Sequence, residues 1–122
     1  MTTENVAELQ PAPVMRPTIV RRVVPGGVEV LERQMEDAER ALCVFWSVED
    51  AERAMLEAGC PPEGGWKAVE RDHEQLRLAM DLLAKVSDVS SIYLEAPPNW
   101  PDLSGLFEPD AFIAMLEDSQ RA

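Results

Sequence analysis

The stretch Ala41–Trp46, which reads ALCVFW, decides the fold class of this chain. Aliphatic, β-branched and aromatic residues follow one another here without a polar residue, which is typical of a strand buried on both faces. The run is too short for a transmembrane helix, which needs about 18 apolar residues. We therefore predict that ALCVFW forms the middle strand of a sheet that is covered on both sides.

A helix is predicted directly after this strand. Ser47 has the side chain of an N-cap, and the acidic Asp50 follows three residues later, near the positive end of the helix dipole. Gly59 is suited to end the helix, since glycine adopts the left-handed conformation that follows many helices. The segment between Ser47 and Gly59 is therefore the first predicted helix.

A second helix is predicted to begin at His73. Asp72 and Gln75 have the D-x-x-Q spacing of a capping box. The apolar residues that follow recur every three or four positions, which predicts one buried stripe on a helix of about four turns. The residues of this stripe are Leu76, Ala79, Met80, Leu83 and Val86.

Strands are predicted on both sides of these helices. TIVRRVV (18–24) is rich in β-branched residues and stops at a Pro-Gly-Gly turn, WKAVER (66–71) is short, and SSIYLE (90–95) alternates before two prolines. A last helix is predicted from Pro109, with Phe107 and Phe112 at the spacing of a hydrophobic staple.

The segment before the central strand permits two interpretations. Glu32–Ala41 contains good helix formers and no glycine, proline or asparagine, so a helix is one alternative. Strand-like residues at both ends favour a hairpin that turns near Glu36 to Glu39, and we favour the hairpin. The predicted architecture is an α/β fold, with α+β as the alternative, in which about five strands form a mixed sheet under three helices.

Two regions are expected along the chain. Residues 1–17 contain Pro11, Pro13 and Pro17 and are predicted to form a proline-rich flexible arm. Residues 18–122 are predicted to form a single compact acidic domain. The N-terminal residues lack the apolar core of a secretory signal, so a cytoplasmic location is expected.

The charge balance excludes some classes of partner. Against 11 Lys and Arg the chain has 23 Asp and Glu, which gives a net charge of −12. Direct nucleic-acid binding is not expected, since phosphates are held by clustered basic residues and the largest such cluster is Arg21-Arg22. Without an apolar span, no membrane partner is expected either.

No catalytic, cofactor or metal site is predicted. Cys43, Cys60 and His73 lack the paired spacing of zinc ligands, and the two thiols are expected to be structural. No Gly-rich phosphate-binding motif or serine nucleophile elbow is present in the sequence. The acidic cluster Glu70–Glu74 around the single histidine is the one alternative for an enzyme, although a solvated helix start explains the same residues.

Four segments resemble the SseB-type domain of bacteria, and the path from the first to the last covers about two-thirds of the chain. In order they read CVFWSVEDAERAM, WKAVERDHEQLRLAMDLLAKV, SSIYLEAPP and PDAFIAMLED. The family's Phe-Thr-Ser strand end and Asn-Pro-Gly turn are Phe45-Trp46-Ser47 and Ala96-Pro97-Pro98 here. The resemblance implies an α/β fold and a non-enzymatic protein, and it supplies no catalytic residues.

The connection from Ala96 to Asp110 is the predicted binding site. Its prolines hold four large apolar residues in a long loop that is expected to have no regular structure of its own, and such loops often bind partners. The predicted contact residues are Trp100, Leu103, Leu106 and Phe107. Alternatively, Trp100 and Phe107 fold back to cover the core.

The expected function is that of a small protein-protein interaction module, an adaptor or chaperone-like accessory protein. It would bind another protein through the 96–110 loop or the acidic surface. One alternative is an acidic protein that mimics nucleic acid and inhibits a DNA- or RNA-binding protein, and another is the small enzyme described above. A homo-oligomer that forms through the first strand is also possible, because a strand at the end of a sheet leaves an open ladder.

Overall fold

The structure is a computed structural model that describes residues 14–36 and 39–121. The described residues form a mixed sheet with three helices. The strands are β1 (Thr18–Val24), β2 (Gly27–Val30), β3 (Glu32–Gln34), β4 (Arg40–Phe45), β5 (Lys67–Glu70), β6 (Val89–Glu95) and β7 (Gly105–Phe107). The helices are α1 (Val48–Glu57), α2 (His73–Val86) and α3 (Pro109–Arg121). The predicted α/β fold with a mixed sheet and three helices is confirmed, with seven strands rather than about five.

The central strand β4 organises the sheet. It pairs in parallel with β6, and β6 pairs in antiparallel orientation with β7. On its other side β4 pairs with β3 along Arg40–Leu42 and meets β1 where Thr18 lies opposite Phe45. Strand β1 continues the sheet outward to β5. The prediction that ALCVFW lies in the middle of the sheet is therefore confirmed.

The segment from β2 to β3 changes its partner at Leu31. Strand β2 pairs with β1, and β3 pairs with β4. Between them the Leu31 N–H donates to the Val20 carbonyl at 2.9 Å, and the Leu31 carbonyl accepts from the Cys43 N–H at 3.1 Å. The segment thus inserts between β1 and β4, which raises the number of strands above the prediction.

The hairpin interpretation of the segment before β4 is confirmed, and the helix alternative is wrong. Arg33 lies opposite Ala41, and Gln34 lies opposite Arg40. The Met35 N–H donates to the Glu39 carbonyl at 2.7 Å and closes the ladder next to the turn.

Side chains of β4 alternate between two cores. Leu42 and Val44 pack in one cluster with residues of α2, α3 and β6. Cys43 and Phe45 pack in a second cluster with Ala51 and other residues of and near α1. Helices α2 and α3 therefore cover one face of the sheet and α1 covers the other, as expected for a strand buried on both faces.

The predicted caps are present. The Ser47 side chain accepts from the Asp50 N–H, and Gly59 after α1 has a φ of +74°. Asp72 and Gln75 form the complete capping box of α2. Their mutual hydrogen bonds measure 2.8 and 2.9 Å. Each helix therefore begins where its sequence signal places it.

The staple predicted at the start of α3 is also present. The rings of Phe107 and Phe112 lie 5.5 Å apart between centroids. The two residues stand one position before and four positions after Glu108, the residue that precedes α3.

The structure bears on three expectations. In the described end of the predicted arm, Pro17 is buried and its carbonyl accepts from the Arg71 N–H at 2.7 Å, while Val14 is 85% exposed. The rest of that arm lies outside the described residues. The inclusion of Val86 in the buried stripe of α2 is wrong, because Val86 is exposed. Strand β1 pairs on both sides over Thr18–Arg21 and, among the described residues, with β2 alone over 22–24, so self-association through this strand stays a prediction.

Candidate functional site

The predicted loop site is more regular than expected. Within 96–110 the chain forms a 3₁₀ turn at Pro101–Leu103 and then strand β7. Leu106 lies opposite Tyr93 and Phe107 opposite Ile92 on β6. The expectation that this connection lacks regular structure is wrong, because three of its residues extend the sheet.

The structure does not bring the four predicted contact residues onto one surface. Leu106 and Phe107 are neighbours on a strand, so their side chains point to opposite faces of the sheet. Phe107 is half-buried against the core beside Phe112, as the structural alternative proposed. Trp100 is half-buried, while Leu103 and Leu106 are exposed. A contact through Trp100 and Leu103 stays a prediction.

The acidic cluster around His73 has structural contacts. The Glu70 carboxylate pairs with Arg16 at 3.2 Å, and Asp72 caps α2. The His73 ring Nδ1 lies 2.7 Å from the side-chain oxygen of Gln120 on α3. These contacts connect the start of α2 to the residues before β1 and to the last helix.

The cysteines and acidic residues do not converge on a metal site. Across 14–36 and 39–121, no group of three or more His, Cys, Asp or Glu side chains is arranged to hold a metal ion. Cys43 and Cys60 are both buried and free. Burial, with a smaller contribution from Glu95, raises the pKa of the Cys43 thiol to about 12. At neutral pH this thiol is fully protonated and therefore a poor nucleophile or ligand.

A groove lies between α2 and the β1–β2 hairpin. It has a volume of about 640 Å³, and most of its wall is apolar. The hairpin wall includes Val28 and Val30, which lie opposite Val23 and Arg21 on the same face of the two strands. We call this surface the hairpin groove. Its lining residues are Ile19, Arg21, Val24, Pro25, Gly26, Gly27, Val28, Val30, Arg71, Gln75, Leu78, Ala79, Leu82, Leu83 and Val86.

The helical wall of the groove is an exposed apolar stripe. Leu78 is 70% exposed, Leu82 56% and Val86 70%. Their spacing of four residues places them along one side of α2. The other side of α2 packs against α3 and β6, whereas no described helix packs closely on β2. The stripe therefore faces the hairpin across the cavity.

Two arginines line the hairpin groove. Partial burial and the nearby Arg21 lower the pKa of the Arg71 guanidinium, while Asp72 acts in the opposite direction. The Nε atom of Arg21 is buried and has no hydrogen-bond partner among the described residues. Two guanidinium groups that repel each other thus lie beside an apolar surface.

These two arginines differ from the other described arginine side chains. Arg21 and Arg71 form no ion pair with the described residues. Six others do: Arg16 with Glu70, Arg22 with Glu29, Arg33 with Glu95, Arg40 with Glu32, Arg53 with Asp50, and Arg77 with Asp110.

The sequence analysis missed this groove although a signal was present. Helix α2 has two apolar stripes, and the prediction treated only the one through Leu76, Met80 and Leu83 and assigned Val86 to it. The second stripe, through Leu78, Leu82 and Val86, has the same helical periodicity. A helix that lies on a sheet buries one stripe against it, so a second apolar stripe on the same helix indicates an exposed apolar surface.

No protein-family model, curated protein or solved structure matches this chain. The resemblance to the SseB-type domain therefore stays a prediction. Among the described helices, none has the length and apolar character needed to cross a membrane.

Proposed function

We propose that this protein is a non-enzymatic interaction module that binds an apolar helix of a partner protein in the hairpin groove. The observation that carries the proposal is the exposed stripe Leu78, Leu82 and Val86, which faces the apolar hairpin across an open groove. The proposal keeps the predicted class of function and moves the site from the 96–110 loop to α2.

The shape of the groove favours a helix as the occupant. Helix α2 has 14 residues and is therefore about 21 Å long, which matches three to four turns of a second helix. Helix α3 already packs on one side of α2. A partner helix on the other side would lie over β1 and β2 and would extend the helical layer by the same kind of packing.

The apolar area of the stripe gives an estimate of the affinity. Complete burial of a leucine or valine side chain contributes about 1.5–3 kcal/mol. Since these three side chains are already partly covered, we expect about 1–2 kcal/mol from each. Association costs several kcal/mol in lost translational and rotational freedom. The three side chains alone therefore do not supply the roughly 4 kcal/mol net that a millimolar complex needs, so the apolar side chains of the partner helix have to contribute as well.

The test uses a synthetic helical peptide of about 16 residues, with leucines at three positions four residues apart and otherwise alanine and glutamine. Its binding is measured by fluorescence anisotropy. We expect Leu78→Gln to weaken binding about tenfold, because it places an amide on the apolar wall. Leu56→Gln is the matched control, since Leu56 is 72% exposed on α1, across the sheet from the groove.

The outcomes separate the possible occupants. Loss of binding in Leu78→Gln with full binding in Leu56→Gln supports the proposal. No binding to the wild-type chain, or equal effects of the two substitutions, overturns it. A wild-type dimer in sedimentation velocity that Leu78→Gln converts to monomer would also overturn it, because the groove would then hold a second copy of this chain.

A further inference from the structure

We propose that the helix bound in the hairpin groove carries a carboxylate side chain that lies between Arg21 and Arg71. This inference rests on the proposed function and specifies the chemistry of the partner. It assigns the two arginines as the specificity-determining residues of the groove, while the α2 stripe supplies the apolar contact.

Arg21 and Arg71 have no ion-pair partner among the described residues, whereas the six other arginines with described side chains each have one. The chain has an excess of 12 acidic residues, so a carboxylate is the commonest charged group on its surface. The carboxylates next to Arg71 are engaged elsewhere, since Glu70 pairs with Arg16 and Asp72 caps α2. The positive charge in the groove is therefore available to an anionic group from outside.

Backbone hydrogen bonds fix the backbone positions of both arginines. Arg21 lies within β1, opposite Val30 on one side and Lys67 on the other. The Arg71 N–H donates to the Pro17 carbonyl at 2.7 Å. Guanidinium groups on a fixed backbone lose less freedom when they bind a carboxylate, and their planar arrays of N–H donors match its two oxygens.

The buried Nε of Arg21 also favours an acidic partner. An N–H group that is removed from water without a partner costs free energy, so a shift of the Arg21 side chain that brings Nε to a new acceptor is favoured. A carboxylate that accepts from Arg21 would also reduce the repulsion between the two guanidinium groups, because it places a negative charge between them. An apolar helix without an acid satisfies neither requirement.

The polarity of the groove follows from these positions. Arg71 lies just before the first residue of α2, whereas Val86 is the last residue of that helix. A partner helix that fits would place its acidic residue near the start of α2 and its apolar residues toward the end. The motif expected in the partner is an acidic residue followed or preceded by apolar residues at helical spacing.

The experiment compares two peptides that differ at one residue. Both are based on the leucine-containing helical peptide described above. One carries glutamate and the other glutamine at a position one turn beyond the outermost leucine. The pair is made twice, once with this position at the N-terminal end of the peptide and once at the C-terminal end. The net charge of −12 repels the glutamate peptide at long range. Tighter binding of the glutamate peptide therefore requires a local cation in the groove.

We expect the better glutamate peptide to bind the wild-type chain about tenfold more tightly than its glutamine counterpart, as for a hydrogen bond to a charged group. Arg21→Gln combined with Arg71→Gln should abolish this preference. Arg77→Gln is the matched control, because Arg77 lies on α2 but faces Asp110 on α3. It changes the net charge by one, as Arg71→Gln alone does, and should keep the preference.

A second variant protects the test against misfolding. Arg71→Gln alone changes a residue outside the strands and helices, and it should reduce the preference at least threefold with an unchanged circular dichroism spectrum. If both peptides bind the wild-type chain equally and Leu78→Gln binds neither, the inference of a partner carboxylate is overturned. The proposed function is then still supported. A preference that persists in both arginine variants also overturns the inference of a partner carboxylate. If neither peptide binds, the proposed function fails as well.

Discussion

Two adjacent leucines on α2 provide the sharpest test of the fold and the groove together. Leu83 is 8% exposed and belongs to the larger core cluster, whereas Leu82 is 56% exposed on the wall of the hairpin groove. Replacing each by alanine removes the same atoms from consecutive residues of one helix. Any difference in stability between the two variants therefore reports the packing of the wild-type side chains.

The expected magnitudes differ severalfold. A Leu→Ala change in a core costs about 2–5 kcal/mol, since it combines lost burial with a cavity. We expect about 3 kcal/mol for Leu83→Ala. Leu82 buries less than half of its surface, so Leu82→Ala should lose about 1 kcal/mol or less of the free energy of unfolding.

Urea unfolding followed by circular dichroism at the helical band measures both variants. Domains of this size have free energies of unfolding of about 5–15 kcal/mol, so both proteins should remain folded without urea. The urea midpoints, converted with a common slope, give the loss in free energy of unfolding for each variant. If Leu82→Ala destabilises the protein as much as Leu83→Ala, Leu82 is a core residue, and both the orientation of α2 and the hairpin groove are refuted.

Three further predictions concern the rest of the chain. The raised pKa of Cys43, about 12 against an ordinary value of 9.0, means that above pH 9 the unfolded chain releases a proton that the folded chain keeps. The free energy of unfolding should therefore fall by about 1.4 kcal/mol between neutral pH and about pH 10, and urea titrations of Cys43→Ala should lack this component. Asp72→Ala should cost about 1 kcal/mol in urea unfolding through loss of the capping box, whereas Glu74→Ala, which changes an exposed residue in the first turn of the same helix, should cost clearly less. Phe107→Ala should lower the free energy of unfolding by about 2 kcal/mol through loss of the staple. Trp100→Ala should bind the groove peptide as the wild type does, and weakened binding would place the site in the 96–110 loop.

Local signals predicted much of the fold. Every residue of ALCVFW is apolar, so both faces of this strand are apolar. A strand with no polar face has to lie in the interior of a sheet. The caps at Ser47 and Asp72 depend on residues three positions apart, so the sequence alone indicates where α1 and α2 begin. The hairpin before β4 was predicted from strand propensity at its two ends rather than from its turn residues.

Features that depend on distant partners were not predictable in the same way. Strand β7 has only three residues and exists because Ile92 and Leu94 of β6 offer an unpaired edge. Leu31 changes partners because β1 and β4 diverge on either side of it, which no local pattern encodes. In both places the hydrogen bonds are formed with residues far along the chain.

The candidate site shows the same limit. The exposure of Leu78, Leu82 and Val86 depends on where the hairpin wall lies relative to α2, and the helical periodicity alone cannot distinguish a buried stripe from an exposed one. The isolation of Arg21 and Arg71 becomes visible only when the partners of the other arginines are known. A long loop with aromatic residues can be identified in a sequence, whereas a groove between a helix and a hairpin can be identified only in a structure.

The parallel pairing of β4 with β6 has a consequence for the synthesis of this protein. Val44 lies opposite Leu94, so the ribosome has to add α1, β5 and α2 before the central strand can obtain its parallel neighbour. During that interval the most apolar segment of the chain is without the strand that completes its ladder, and such segments associate readily with other nascent chains. We expect a chain halted before Val89 to be held by chaperones or to aggregate, and release from that state to coincide with the translation of residues 89–95.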